Sequence, residues 1–128
     1  MSGQVYKKCL INLSNHPFEG WGEAQKQAAI REFGAVEDLP FPEIPPQWGI
    51  EEVNRLAEEM TQQIVERQPL ALHLAGEFTF CYQLVKRLEA AGIRCVVATS
   101  RRMVQQLADN RKEVRFEFVR FRDYYSLK

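Results

Sequence analysis

The chain has no net charge to offer: seventeen lysines and arginines stand against seventeen aspartates and glutamates. That disfavours an overall basic nucleic-acid binder, while leaving room for a local basic patch, and no duplex nucleic acid is expected as a partner. Cysteine is scarce and odd in number. Cys9, Cys81 and Cys95 have no CxxC spacing, and each stands inside an apolar segment. They read as small buried hydrophobes in a reducing compartment. No apolar run approaches the length of a membrane span, and the opening residues Met1 to Lys8 hold no signal-type apolar stretch. A cytoplasmic protein with no membrane partner is therefore expected. The chain lacks GxGxxG and the P-loop pattern GxxxxGKS/T, so dinucleotide and P-loop readings are weak. Its two histidines, His16 and His73, lack metal-ligand spacing. No carboxylate–histidine cluster is readable, so neither a metal nor another cofactor is expected. No Ser/His/Asp or Cys/His nucleophile arrangement can be read from spacing either.

What is present is enough for one domain with a real core: 128 residues, 45% of them apolar and 27% charged. Residues 5–14 end in an apolar run and read as a strand. Pro17 and Gly20 break it, and a helix is expected from Trp21 to Phe33, stopped by Gly34. A short strand over 35–41 leads into Pro42-Glu43-Ile44-Pro45-Pro46, which suits neither helix nor central strand. The clearest helix runs from Ile50 to Arg67, with Ile50, Val53, Leu56, Ala57, Met60, Ile64 and Val65 on one face. Leu70 to Ala75 is a continuous apolar run of the buried parallel-strand kind, and it encloses His73, which reads as a satisfied core histidine. A third helix carries Cys81, Leu84, Val85, Leu88 and Ala91 inward, with Gly92 as its cap. Ile93 to Ala98 is a fourth strand. A short fourth helix is expected through Met103, Val104 and Leu107. Val114, Phe116 and Phe118 then alternate with charged residues in a last strand, whose pattern slips at Val119 and Phe121 as a bulge or covered edge would. Strands alternating with helices predict an α/β fold: a three-layer, Rossmann-like single domain over residues 1–128. Its sheet is five-stranded and mainly parallel, in the order 2-1-3-4-5, with the last strand a candidate antiparallel edge.

Three polar clusters follow apolar runs: Ser14-Asn15-His16-Pro17, Gly76-Glu77-Phe78-Thr79, and Thr99-Ser100-Arg101-Arg102. On parallel strands they share the carboxyl edge of the sheet, where open α/β folds bind ligands, and the first two flank the point where the strand order reverses. Gly76 and Thr79 at a helix start suit an anion, though Glu77 would oppose a phosphate and suits a ribose hydroxyl or an exocyclic amine instead. Glu77 and Thr79 equally suit a plain helix cap. His16 is placed for acid–base work or for donating to a phosphate, or it is simply part of a turn. Arg101 and Arg102 could neutralise phosphate bidentately; as plain helix-start residues they would sit against the dipole. Arg115, Arg120, Arg122 and Lys128, interleaved with Phe116, Phe118, Tyr124 and Tyr125, make a basic aromatic surface, a dimer interface or an edge strand.

As a set, the phrases INLSNHP, AAIREFGAVEDLPFPEIPP, LHLAGEFTFCYQLV and VRFEFVRFRDY resemble small single-domain accessory proteins of type III CRISPR systems with a CARF-like, Rossmann-related fold. The resemblance spans nearly the whole chain. It implies a homodimer that binds a cyclic oligoadenylate second messenger across its two-fold axis, through loops at the carboxyl ends of the strands. Some members of that group cleave the messenger as metal-independent ring nucleases and so end the antiviral response. By position, the resemblance assigns ligand binding to Ser14, Asn15, Gly76, Glu77, Phe78, Thr79, Thr99 and Ser100. For cleavage, the chemistry points to His16 for acid–base work and to Arg101 or Arg102 for charge. Since a single domain of this length is expected to carry no appended effector, a stand-alone binder or degrader is the expected form. Three functions compete: a metal-independent cyclic oligoadenylate phosphodiesterase, a non-catalytic module that sequesters the same ligand, and a protein-interaction accessory. Ligand-induced stabilisation separates the first two from the third, and turnover separates the first from the second.

Overall fold

The computed structural model describes residues 8–127. Along the chain run β1 (Leu10–Ser14), α1 (Glu23–Phe33), β2 (Val36–Pro40), α2 (Ile50–Arg67), β3 (Ala71–Ala75), α3 (Phe78–Ala90), β4 (Cys95–Gln106) and β5 (Lys112–Asp123). Of the strand expected over 5–14, residues 5–7 lie outside the described part, as does Lys128.

The strands form one sheet in the order β2-β1-β3-β4-β5. The first four are parallel and β5 runs antiparallel to β4. This is the expected α/β architecture. The chain goes outward from β1 to β2, then crosses back over β1 to β3, so the order reverses between β1 and β3.

Why three layers form is visible in the burial of each strand. β1 and the first four residues of β3 are buried on both faces, as parallel strands under helices must be. Leu10, Ala71 and Val96 face α1, where Ala29, Phe33, Trp21 and Phe121 complete a smaller core. Ile11, Leu13, Leu72, Leu74 and Cys95 face α2 and α3, where Val53, Ala57, Met60, Ile64, Phe80, Leu84 and Leu88 close the larger one. α2 starts where the Glu52 carboxylate accepts the Gly49 N–H at 2.9 Å. It stops at Gln68, which takes a left-handed conformation (φ 49°) just before Pro69. α1 stops at Gly34, whose φ of 83° an L side chain would resist. The three cysteines are buried, and no disulfide joins them among the described residues. Burial pushes the thiol of Cys81 up to about 11 and that of Cys95 up to about 12, with Glu77 and Asp123 adding to the respective shifts. Neither is a nucleophile near neutrality.

One element departs from expectation. Met103, Val104 and Leu107 do not form a fourth helix: β4 continues through Met103 and Val104 to Gln106, pairing with β5 along its length, and Leu107 follows it in the turn. Only Cys95 and Val96 of β4 pair with β3, so the rest of β4 and β5 leave the sheet as a two-stranded ribbon. The physical reason lies at the ribbon's tip. Asn110 adopts φ 64° and the Leu107 N–H bonds Arg111 O at 2.8 Å. This turn brings the alternating segment 112–118 back alongside 100–106, and ladder pairing overrides helix spacing. Register shifts between Thr99 and Ser100, leaving Val119 as the extra residue of a bulge where the alternation slips.

Candidate functional site at the carboxyl edge

Asn12, in the middle of β1, organises the edge. Its Nδ2 donates to Asp38 Oδ1 at 2.8 Å and to the His16 carbonyl at 2.9 Å. Its Oδ1 accepts from Ser14 Oγ at 2.8 Å and lies 2.9 Å from His73 Nδ1. Asp38 also accepts the Phe18 N–H at 3.0 Å. Ser14 Oγ accepts the His16 N–H at 3.2 Å, and Trp21 Nε1 donates to the His16 carbonyl at 2.9 Å. The turn Asn15-His16-Pro17 is therefore clamped at both ends, with the His16 side chain left exposed.

Beside this network, on the α1 face, lies a cleft of about 280 Å³. Ser14, His16, Trp21, Gln25, His73 and Ala75 line it, with Gly20, Gly22, Val97 and Ala98. Short side chains at Ala75 and Ala98 keep it open between β3 and β4. His73 forms its floor at 4% exposure. Burial, and secondarily the nearby His16, lowers its pKa from 6.5 to about 4, so the ring is neutral at physiological pH. His73 is thus not the satisfied core histidine expected: its Nε2 is buried with no hydrogen-bond partner among the described residues.

The structure distributes the expected site residues unevenly. Ser14 and His16 meet in the cleft, whereas Asn15 is exposed on the turn above it. The second cluster is built as packing and cap. A Cβ at Gly76 would lie 2.3 Å from the Phe41 ring, so this glycine makes room for Phe41. Glu77 caps α3, accepting the Phe80 N–H at 2.8 Å and the Thr79 hydroxyl at 2.6 Å. The bonds from Thr79 and then Phe80 hold its carboxyl below the usual range. Its carboxylate occupies the helix start that an anion would need. Phe78 is 89% exposed. In the third cluster, Thr99 Oγ1 donates to the Arg120 carbonyl at 2.9 Å. Ser100 lines a groove between the start of α1 and the ribbon, with Phe116 and Phe118. Arg101 and Arg102 are not first-turn helix residues. They are successive strand residues, paired with Glu117 and Phe116, and so they project from opposite faces. Arg102 shares the face of Ser100 and Ala98, on the cleft side; Arg101 lies on the other.

Sequence reasoning missed Asn12, Asp38, Trp21, Gln25 and His73 as site residues. A polar Asn12 and His73, each in the middle of a buried strand, was the available signal, since buried polar groups need partners. Among the described residues, no group of three or more His, Cys, Asp and Glu side chains is placed to hold a metal ion. No described helix is long and apolar enough to cross a membrane.

A three-layer α/β sheet with its polar cleft at the topological switch point defines a Rossmann-like protein with a carboxyl-edge site. More particularly, the chain belongs to the family of the uncharacterized protein MJ1673, whose family model matches residues 8–122. No curated protein and no solved structure matches it.

Proposed function

We propose that the protein binds a cyclic oligoadenylate second messenger at this carboxyl edge, as a homodimer, in type III CRISPR antiviral signalling. The observation that carries the reading is the convergence of Ser14, His16 and His73 around an open cleft beside the β1/β3 reversal. Clefts in that position take nucleotides in open α/β folds. The resemblance to CARF-like accessory proteins supplies the class of nucleotide. The exposed Val104, Val114 and Phe116 of the ribbon support a second copy.

Cleavage of the ring fits the same residues. A ribose 2′-oxygen attacks its own phosphorus, losing its proton to solvent. The O2′–P bond forms, the P–O5′ bond breaks, and His16 as its imidazolium gives a proton to the departing 5′-oxygen. The products are a 2′,3′-cyclic phosphate and a 5′-hydroxyl, and positioning does much of the work. In this reading Arg102, on the strand face of Ala98, offsets charge on the phosphate. Purified protein is expected to convert the ring to linear product with a chelator present, and His16→Ala to slow conversion about a hundredfold. Intact ring after prolonged incubation at high protein concentration overturns cleavage.

The second reading, a sequestering module without turnover, is favoured by two observations. Arg101 points away from Arg102, and Glu77 fills the start of α3, so few groups are free to stabilise a phosphorane. It predicts a rise in Tm with the ring and no product. No rise with any cyclic oligoadenylate removes both readings.

A further inference from the structure

We propose that Nε2 of His73 reads the ligand at the floor of the cleft, accepting a hydrogen bond from an uncharged donor of the nucleotide, an exocyclic amine or a sugar hydroxyl. This inference rests on the nucleotide-binding reading above and specifies how that site recognises its occupant.

The argument is one of proton placement. The Asp38 carboxylate and the His16 carbonyl can only accept, so the Asn12 amide must turn its NH2 toward them, at 2.8 and 2.9 Å. Asn12 Oδ1 is then the atom facing His73 Nδ1 at 2.9 Å, and Nδ1 must carry the proton. In a neutral imidazole the other nitrogen is a bare acceptor. Nε2 is that nitrogen, on the ring edge away from Asn12, and it has no partner among the described residues. Buried acceptors left in this way are uncommon. Burial in turn keeps the ring neutral, with its pKa lowered to about 4.

Among the described residues no donor reaches Nε2, although Gln25 and His16 line the same cleft. The Trp21 ring meets the imidazole edge-on at 5.2 Å, but its N–H is already given to the His16 carbonyl. Phe121 packs against the ring at 5.7 Å, and Val96, its register neighbour on β4, is apolar. Ala75 and Ala98, which line the cleft, have no polar side-chain atom. The donor therefore comes from what enters. A lone pair repels phosphate oxygens, so base or sugar, rather than phosphate, goes deepest.

The test uses protein labelled with 15N at histidine. Two-bond proton–nitrogen correlations should show His73 protonated at Nδ1 and bare at Nε2; the opposite tautomer overturns the inference. Cyclic oligoadenylate should move the Nε2 resonance toward that of a protonated nitrogen. The cyclic inosine analogue lacks the amine, and the 2′-O-methyl analogue lacks the hydroxyl proton. Loss of the movement with one of them supports the inference and names the donor, whereas full movement with both overturns it. His73→Phe should weaken ring binding about tenfold. Unchanged affinity, or a ring that binds without moving Nε2, overturns the inference and leaves the proposed function standing. If no ring binds, the proposed function falls, and adenosine and ribose then decide the inference alone. Movement of Nε2 by either upholds it, and no movement overturns it.

Discussion

His73 is held neutral by its burial, and that has a direct consequence for stability. Its pKa falls from 6.5 to about 4 on folding, so between those values the unfolded chain binds more protons than the native one. Native stability therefore rises with pH across that window and is lost as pH falls through it, by on the order of 3 kcal/mol. Urea unfolding of the wild type at pH 4 and pH 7 should show this loss, and His73→Leu should remove most of it. An unchanged pH slope in the variant contradicts the assignment. Gly76 makes a second residue-scale case. With Phe41 carbons 2.3–2.9 Å from where its Cβ would stand, Gly76→Ala should cost about 1–3 kcal/mol in chemical denaturation. Phe41→Leu in the same chain should recover part of that cost, whereas strictly additive effects would show the two residues to be uncoupled. Of the site, Ser14 and His16 were legible because a strand end followed by a turn announces itself locally. Asn12, Asp38 and His73 were not. They are contributed by three strands, and only the sheet register, Asn12 beside both Asp38 and His73, makes them one network.

At the scale of elements, α2 shows when a sequence is readable: its expected and observed limits coincide at Ile50 and Arg67. Apolar spacing, the acidic first turn and Pro69 all agree there. β3 was readable because burial on both faces leaves an uninterrupted apolar run. The second half of β4 was misread because Met103, Val104 and Leu107 satisfy helical spacing as well as they satisfy a ribbon. The deciding information lay in Asp109-Asn110, a turn signal, together with the alternation that follows it. The turn is therefore the place to test the ribbon. Asn110→Gly should leave it intact, since glycine accepts positive φ freely. Asn110→Val should destabilise it by about 1–2 kcal/mol. Amide exchange at Val104 and Val114 reports the difference, and equal exchange in the two variants would show that the turn does not control pairing.

For the whole molecule, the ribbon stands out because a two-stranded hairpin is marginal alone in water. Phe116 is 68% exposed, with Val104 and Val114 on the same face at 49% and 43%. On the dimer proposed above, sedimentation of the wild type should give two copies and Phe116→Asp one. A monomeric wild type removes the dimer. The parallel core and the order 2-1-3-4-5 were legible because crossover rules leave few alternatives for strands that alternate with helices. The ribbon's departure from the sheet was not legible, since it depends on where pairing with β3 ends.

β4 works as a cantilever. It is anchored to β3 at Cys95 and Val96, walls the cleft at Val97 and Ala98, and beyond Ser100 pairs with β5 and with no other strand among the described residues. A load on the free arm and a guest in the cleft therefore act on one continuous backbone. On the ligand and dimer proposed above, any free energy that a partner on the arm spent on tilting that backbone would be felt by the guest, and the guest would return the same amount to the arm.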